Sequence, residues 1–100
     1  MTLYIDSTDF NSVSYALKSG NKIVKKVYKI NPHESHQALK MFGDFLNKHQ
    51  QPKSKIQKII ANKGPGSYTG TRMGAAHALA LSLAWDVPVK FLSSDKFKIR

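Results

Sequence analysis

The sequence predicts a mixed α/β fold, one sheet of about five strands with helices packed on it in the order β-β-β-α-β-α-β. Three observations predict it. Apolar and polar residues alternate with period two up to Ile30, and the period becomes helical after Pro32. A glycine-rich run, Gly64 to Gly74, then separates a short apolar strand from a long apolar helix.

Leu3-Tyr4-Ile5 is a β-prone run that ends in the polar turn Asp6-Ser7-Thr8-Asp9. Val13, Tyr15 and Leu17 alternate with Ser12, Ser14 and Ala16, as in a strand with one buried face. Ser19-Gly20-Asn21 signals a hairpin. Ile23 to Ile30 returns as a strand with Ile23, Lys25, Val27 and Lys29 on one side and Val24, Lys26, Tyr28 and Ile30 on the other. Together the three form an antiparallel meander.

From about His33 to Lys48 the pattern is helical. Ala38, Leu39, Phe42, Phe45, Leu46 and His49 share one face, and Lys40, Asp44, Asn47 and Lys48 lie opposite. Gln50 to Ser54 reads as a loop, and Ile56, Ile59, Ile60 and Ala61 as a buried strand reached by a parallel crossover. A second helix, from about Thr71 to Trp85, is apolar nearly all round and needs cover on more than one side. Ala76, Leu79 and Leu83 share the face expected on the sheet. Val87 to Leu92 is the last strand, and Ser93-Ser94-Asp95 caps the start of another helix.

A chain of 100 residues has room for one domain, 1–100, and 41% apolar residues suffice for a small core. The absence of cysteine excludes disulfide scaffolds and thiolate metal sites, and a reducing, cytoplasmic setting is expected. No apolar run approaches the roughly 20 residues of a membrane span, so no membrane partner is expected. Lys and Arg number 16 against 6 acidic residues, a net charge of +10 spread along the chain. That balance suits nucleic acid, an acidic partner, or a solvated surface.

The run Gly64, Pro65, Gly66, Ser67, Tyr68, Thr69, Gly70, Thr71, Arg72, Met73, Gly74 reads as a sharp strand-to-helix turn. Its hydroxyls stand near a helix N-terminus, where free N–H groups favour a phosphate or carboxylate. Close packing of the loop against sheet and helix explains the glycines without a ligand and is the favoured reading of the residues alone. The run matches neither the P-loop nor the dinucleotide fingerprint.

The run resembles the signature of the TsaB (YeaZ) family, which shows Phe or Tyr at the place of Tyr68. The resemblance extends to Tyr4-Ile5-Asp6-Ser7-Thr8, to Ala78 through Leu83, and to Val87-Pro88-Val89 with Ser93-Ser94. It implies one ribonuclease-H-like lobe of the actin/hexokinase/Hsp70-like superfamily, an N-terminal lobe without the second lobe that family members usually carry. It further implies a non-catalytic subunit that supports TsaD in N6-threonylcarbamoyladenosine modification of tRNA position 37. A TsaE-like ATPase would be a further partner, a homodimer would form in isolation, and tRNA would be met through the complex. Other readings are a nucleotide-binding fragment of an actin-like-fold enzyme and a basic RNA-contacting protein.

Family members pair through their first two helices, which implies an interface at Ala38, Met41, Phe42, Phe45, Met73, His77, Ala80, Leu81 and Ala84. No catalytic residue, metal or cofactor is expected. Asp6 and Asp9 lack a matching carboxylate, and His33 with His36 lacks a third ligand. No nucleophile has a plausible relay.

Overall fold

The computed structural model describes residues 1–9, 11–29, 37–48, 55–64 and 68–97. Strand β1 (Thr2–Asp6) is followed by β2 (Ser12–Ser19), β3 (Lys22–Lys29), helix α1 (Gln37–Lys48), β4 (Lys58–Gly64), helix α2 (Tyr68–Trp85) and β5 (Val89–Ser93). This is the expected order. The sheet runs β3-β2-β1-β4-β5. The first three strands pair antiparallel, and Gly20 at φ 59° closes the turn between β2 and β3. The crossovers through α1 and α2 add β4 and β5 parallel.

The period-two pattern decides which side of the sheet is dry. Leu3 and Ile5, Val13, Tyr15 and Leu17, and Ile59 and Ala61 are all buried on one face. Both helices cover that face. Phe42 of α1 packs 5.2 Å from the Tyr15 ring and 5.8 Å from Trp85 at the end of α2. Phe45 is fully buried with its ring 6.0 Å from Tyr15. Val24 and Tyr28 extend the core onto β3, while Ile23 and Val27 are exposed on the other side, as the alternation predicts.

Some boundaries differ from the sequence reading. Strand β4 begins at Lys58, because Ile56 fills the core from the segment before it. There Met1 donates its amino group to Lys55 O at 2.8 Å, and Gln57 N–H donates to Met1 O at 2.9 Å. Helix α2 begins at Tyr68, three residues before the expected Thr71, so Tyr68, Thr69 and Gly70 belong to its first turn. It ends with Asp86 in the left-handed region at φ 53° and Val87 N–H donating to Ser82 O at 3.1 Å, a Schellman closure with Pro88 just beyond. The expected starts and ends at Ile30, His33 to His36 and Gln50 to Ser54 lie outside the described residues.

The larger correction concerns the direction of α2. Gly74, His77, Ala78, Leu81 and Trp85 face the core, whereas Ala76, Leu79 and Leu83 face outward. Ala and Leu occur on both sides of this helix, so periodicity alone could not orient it. The small residues decide, because Gly74 and Ala78 let the helix backbone approach the central strands.

Candidate functional site: the glycine-rich turn and the second helix

Three parallel strands end together at one edge of the sheet, the position where open α/β sheets place their ligands. At the end of β1, Asp6 Oδ1 accepts from Thr8 N–H at 3.0 Å and from the Thr8 hydroxyl at 2.7 Å. This carboxylate therefore organises its own turn. Asp9 does the same for Asn11, whose N–H it accepts at 2.9 Å.

At the end of β4 stands a buried polar residue outside the sequence-based site, Asn62. It accepts from Gly64 N–H at 2.9 Å and from the Ser94 hydroxyl at 3.1 Å. Gly64 sits at φ 103°, a conformation that needs glycine, and its carbonyl accepts from Ser94 N–H at 2.8 Å. One amide oxygen thus shapes the entry to the glycine-rich run and ties it to the segment after β5. The signal was present as Asn two residues before Gly, an Asx-turn spacing. Asn62→Ala should cost about 1–2 kcal/mol in urea unfolding, because the buried Gly64 N–H and the part-buried Ser94 hydroxyl lose this acceptor. Asn62→Asp should retain more of the stability. An alanine variant as stable as the parent would show that the amide contributes nothing.

Gly74, at the second turn of α2, lies against the first-strand turn. A methyl group there would overlap Ser7 Oγ and stand 3.2 Å from Ser7 Cβ. The last glycine of the run is therefore a close-approach glycine within a helix. Pro65, Gly66 and Ser67 lie outside the described residues, as do the side chains of Tyr68, Thr69, Thr71, Arg72 and Met73. No group of three His, Asp or Glu that could hold a metal ion occurs among the described residues. His33 and His36 lie outside them.

The residues expected at an interface separate into two groups. Phe42, Phe45 and His77 are buried in this chain's own core, and Met41 and Leu81 pack half-buried against it. Ala80 and Ala84 are exposed, and the side chain of Ala38 is outside the described set. With Ala80 and Ala84, the outward residues Ala76, Leu79 and Leu83 make an apolar stripe, in which Leu79 is 47% and Leu83 82% exposed. Helical periodicity places these two leucines on the sheet side, and the structure turns them to the surface.

His77 is held by rings. Phe42 stands edge-on at 5.5 Å and Tyr15 at 6.0 Å. Neither ring nitrogen has a hydrogen-bond partner among the described residues. Burial pushes the imidazole down from 6.5 to about 4, so the ring is neutral near pH 7. Burial, and then the neighbouring Tyr28 phenol, raise Tyr15 well above the ordinary phenol value. Neither group is accessible to a reactant.

Residues 24–96 match the family described as TsaD, tRNA N6-adenosine threonylcarbamoyltransferase. The tRNA threonylcarbamoyladenosine biosynthesis protein TsaB of Bacillus subtilis (strain 168) is 29% identical over 92% of the chain and 40% of its own length. The structure of YeaZ from Pseudomonas aeruginosa superposes with a TM-score of 0.81 at 25% identity, covering 92% of this chain and 43% of that one. A Pseudomonas aeruginosa protein described by its similarity to peptidase YeaZ gives 0.80 at 26% identity, covering 92% and 42%. The chain thus spans less than half the length of these relatives.

Proposed function

The chain belongs to the TsaD family and to its TsaB (YeaZ) relatives in tRNA threonylcarbamoyladenosine synthesis, and from that premise we propose that it is a cytoplasmic, non-catalytic subunit that binds and supports a TsaD-like protein. The ribonuclease-H-like α/β lobe is common to the group. The modification served is N6-threonylcarbamoylation of tRNA position 37, with transfer chemistry residing in the partner.

The observation that carries the proposal is the outward stripe of α2. Leu83 is the most exposed large apolar residue among those described, and it stands with Leu79 amid alanines small enough for a second helix to approach closely. Burying one leucine of this kind against a partner is worth roughly 1.5–3 kcal/mol. At the described end of the parallel strands, Asp6 is turned onto Thr8, and Asn62 onto Gly64 and Ser94.

Leu83→Glu should leave the circular dichroism and melting of the isolated chain unchanged and abolish co-elution with the TsaD-like subunit in sizing chromatography. Phe45 is unsuitable as a probe, since a charge there would unfold the core. Co-elution that survives both Leu79→Glu and Leu83→Glu would remove the stripe from the interface. Failure of the unaltered chain to associate at micromolar concentration would remove the subunit reading itself.

A further inference from the structure

The side of the sheet turned away from the helices carries a pattern that the apolar stripe of α2 does not use. Paired residues share a face, so the registers can be followed from strand to strand. Lys25, Ala16, Tyr4, Ile60 and Lys90 form one row across all five strands. Ile23, Lys18, Thr2 and Lys58 form the row beside it. Lys29, paired with Ser12, lies on the same face further along β3. Lys25, Lys29, Lys58 and Lys90 are exposed and Lys18 is half-buried.

The strands put one carboxylate on this face, Asp6, and it is engaged with Thr8 at the edge. At about 4.8 Å per strand, Lys25 and Lys90 stand roughly 19 Å apart, with Lys18 and Lys58 between them laterally. The centre of the face is already closed. Tyr4 and Ala16 are buried, and the Phe97 ring stands edge-on to Tyr4 at 5.9 Å.

We propose that this outer sheet face, through Lys18, Lys25, Lys29, Lys58 and Lys90, binds the phosphate backbone of RNA. Charge complementarity commits it to a polyanion, since a chain of net charge +10 repels a second copy of itself here. Protein interfaces deplete lysine and want an exposed apolar centre, and the centre of this face is covered. Widely set ammonium groups on a flat surface contact phosphates as point charges and read no bases. The choice of RNA over DNA rests on the family reading. The surface does not, and it lies across the sheet from α2, so either reading can fail without the other.

The test is fluorescence anisotropy of the 100-residue chain with an unmodified tRNA transcript between 50 and 300 mM salt. Each phosphate-contacting lysine changed to Gln should reduce the slope of log K against log salt by about 1, so Lys25→Gln, Lys58→Gln and Lys90→Gln together should remove about 3. The corresponding Arg triple should restore binding, which separates lost charge from lost fold. Lys26→Gln with Lys40→Gln, on the helix side, should leave the slope as it was. An unchanged slope in the Gln triple, or an equal loss in the helix-side pair, would overturn the proposal. So would equal competition by poly-glutamate, which would assign the face to an acidic protein segment, or equal binding of a DNA duplex of the same length.

Discussion

Acidification from pH 6.5 to about 4 should remove about 3 kcal/mol of stability from the chain through His77 alone, and His77→Leu should abolish that loss. The unfolded chain takes up the His77 proton near pH 6.5, whereas the folded chain resists it down to about 4, because an imidazolium would stand among Phe42, Tyr15 and apolar side chains without a partner among the described residues. The folded pKa is lowered, so the contribution is fully present above 6.5. It falls away as the pH drops toward 4 and is constant below. Near pH 7.5 the leucine variant should already be the more stable, by about 1 kcal/mol, because two buried nitrogens no longer go without hydrogen bonds. Urea unfolding at pH 7.5, 5.5 and 4.5 decides it. If the parent and His77→Leu lose stability in parallel across that range, the titrating group lies elsewhere.

Gly74→Ala has the second large effect, a loss of about 2 kcal/mol. Alanine favours a helix by about 1 kcal/mol over glycine. The contact works against it: the new methyl group would overlap the Ser7 hydroxyl and meet Ser7 Cβ at 3.2 Å, and overpacking of that kind costs up to about 3 kcal/mol. Helix and first-strand turn must move apart, and the Asp6-Ser7-Thr8 turn moves with them. Ser7→Gly removes the obstructing atoms, so the double variant should be more stable than the sum of the single effects by at least 1 kcal/mol. A double-mutant cycle in urea reads that coupling directly. Strict additivity would mean that the glycine is there for a reason other than this contact.

Both residues show where the sequence could be read and where it could not. The element order was legible because turn chemistry and periodicity agree. Ser19-Gly20-Asn21 makes its hairpin, and the alternation in β2 and β3 puts Tyr15, Val24 and Tyr28 on the dry side and Val27 on the wet one. The glycine-rich run marked the right place but hid its own geometry. Glycines suggest a turn, yet only Gly64 takes a left-handed conformation there among the described residues, while Gly70 and Gly74 are helical.

The orientation of α2 was illegible for a different reason. Alanine and leucine on every side of a helix give no direction, and the choice was made by a tertiary contact, Gly74 on Ser7, and by the ring cage around His77. Phe42 and Phe45 illustrate the same ambiguity. Their aromatic character suits an interface and a core equally, and only the Tyr15 and Trp85 rings packed against Phe42, with Tyr15 also close to Phe45, place them inside. Asn62 carries a local signal in its spacing to Gly64, but its second partner, Ser94, lies 32 residues away, and no local spacing records that bond.

The central position of β1 has a kinetic consequence. Strand β1 pairs on one side with its immediate successor and on the other with β4, and Met1 N donates to the carbonyl of Lys55, 54 residues along the chain. The meander can close within a short stretch of chain. The parallel pairing must wait for a long loop to close, which costs entropy before any contact offsets it. Until then Leu3 and Ile5 lie along an unpaired strand edge, the state most exposed to misassembly. The docking of β4 is therefore the expected slow step in folding, and Ile59→Val should lower the refolding rate in stopped-flow measurements more than it raises the unfolding rate.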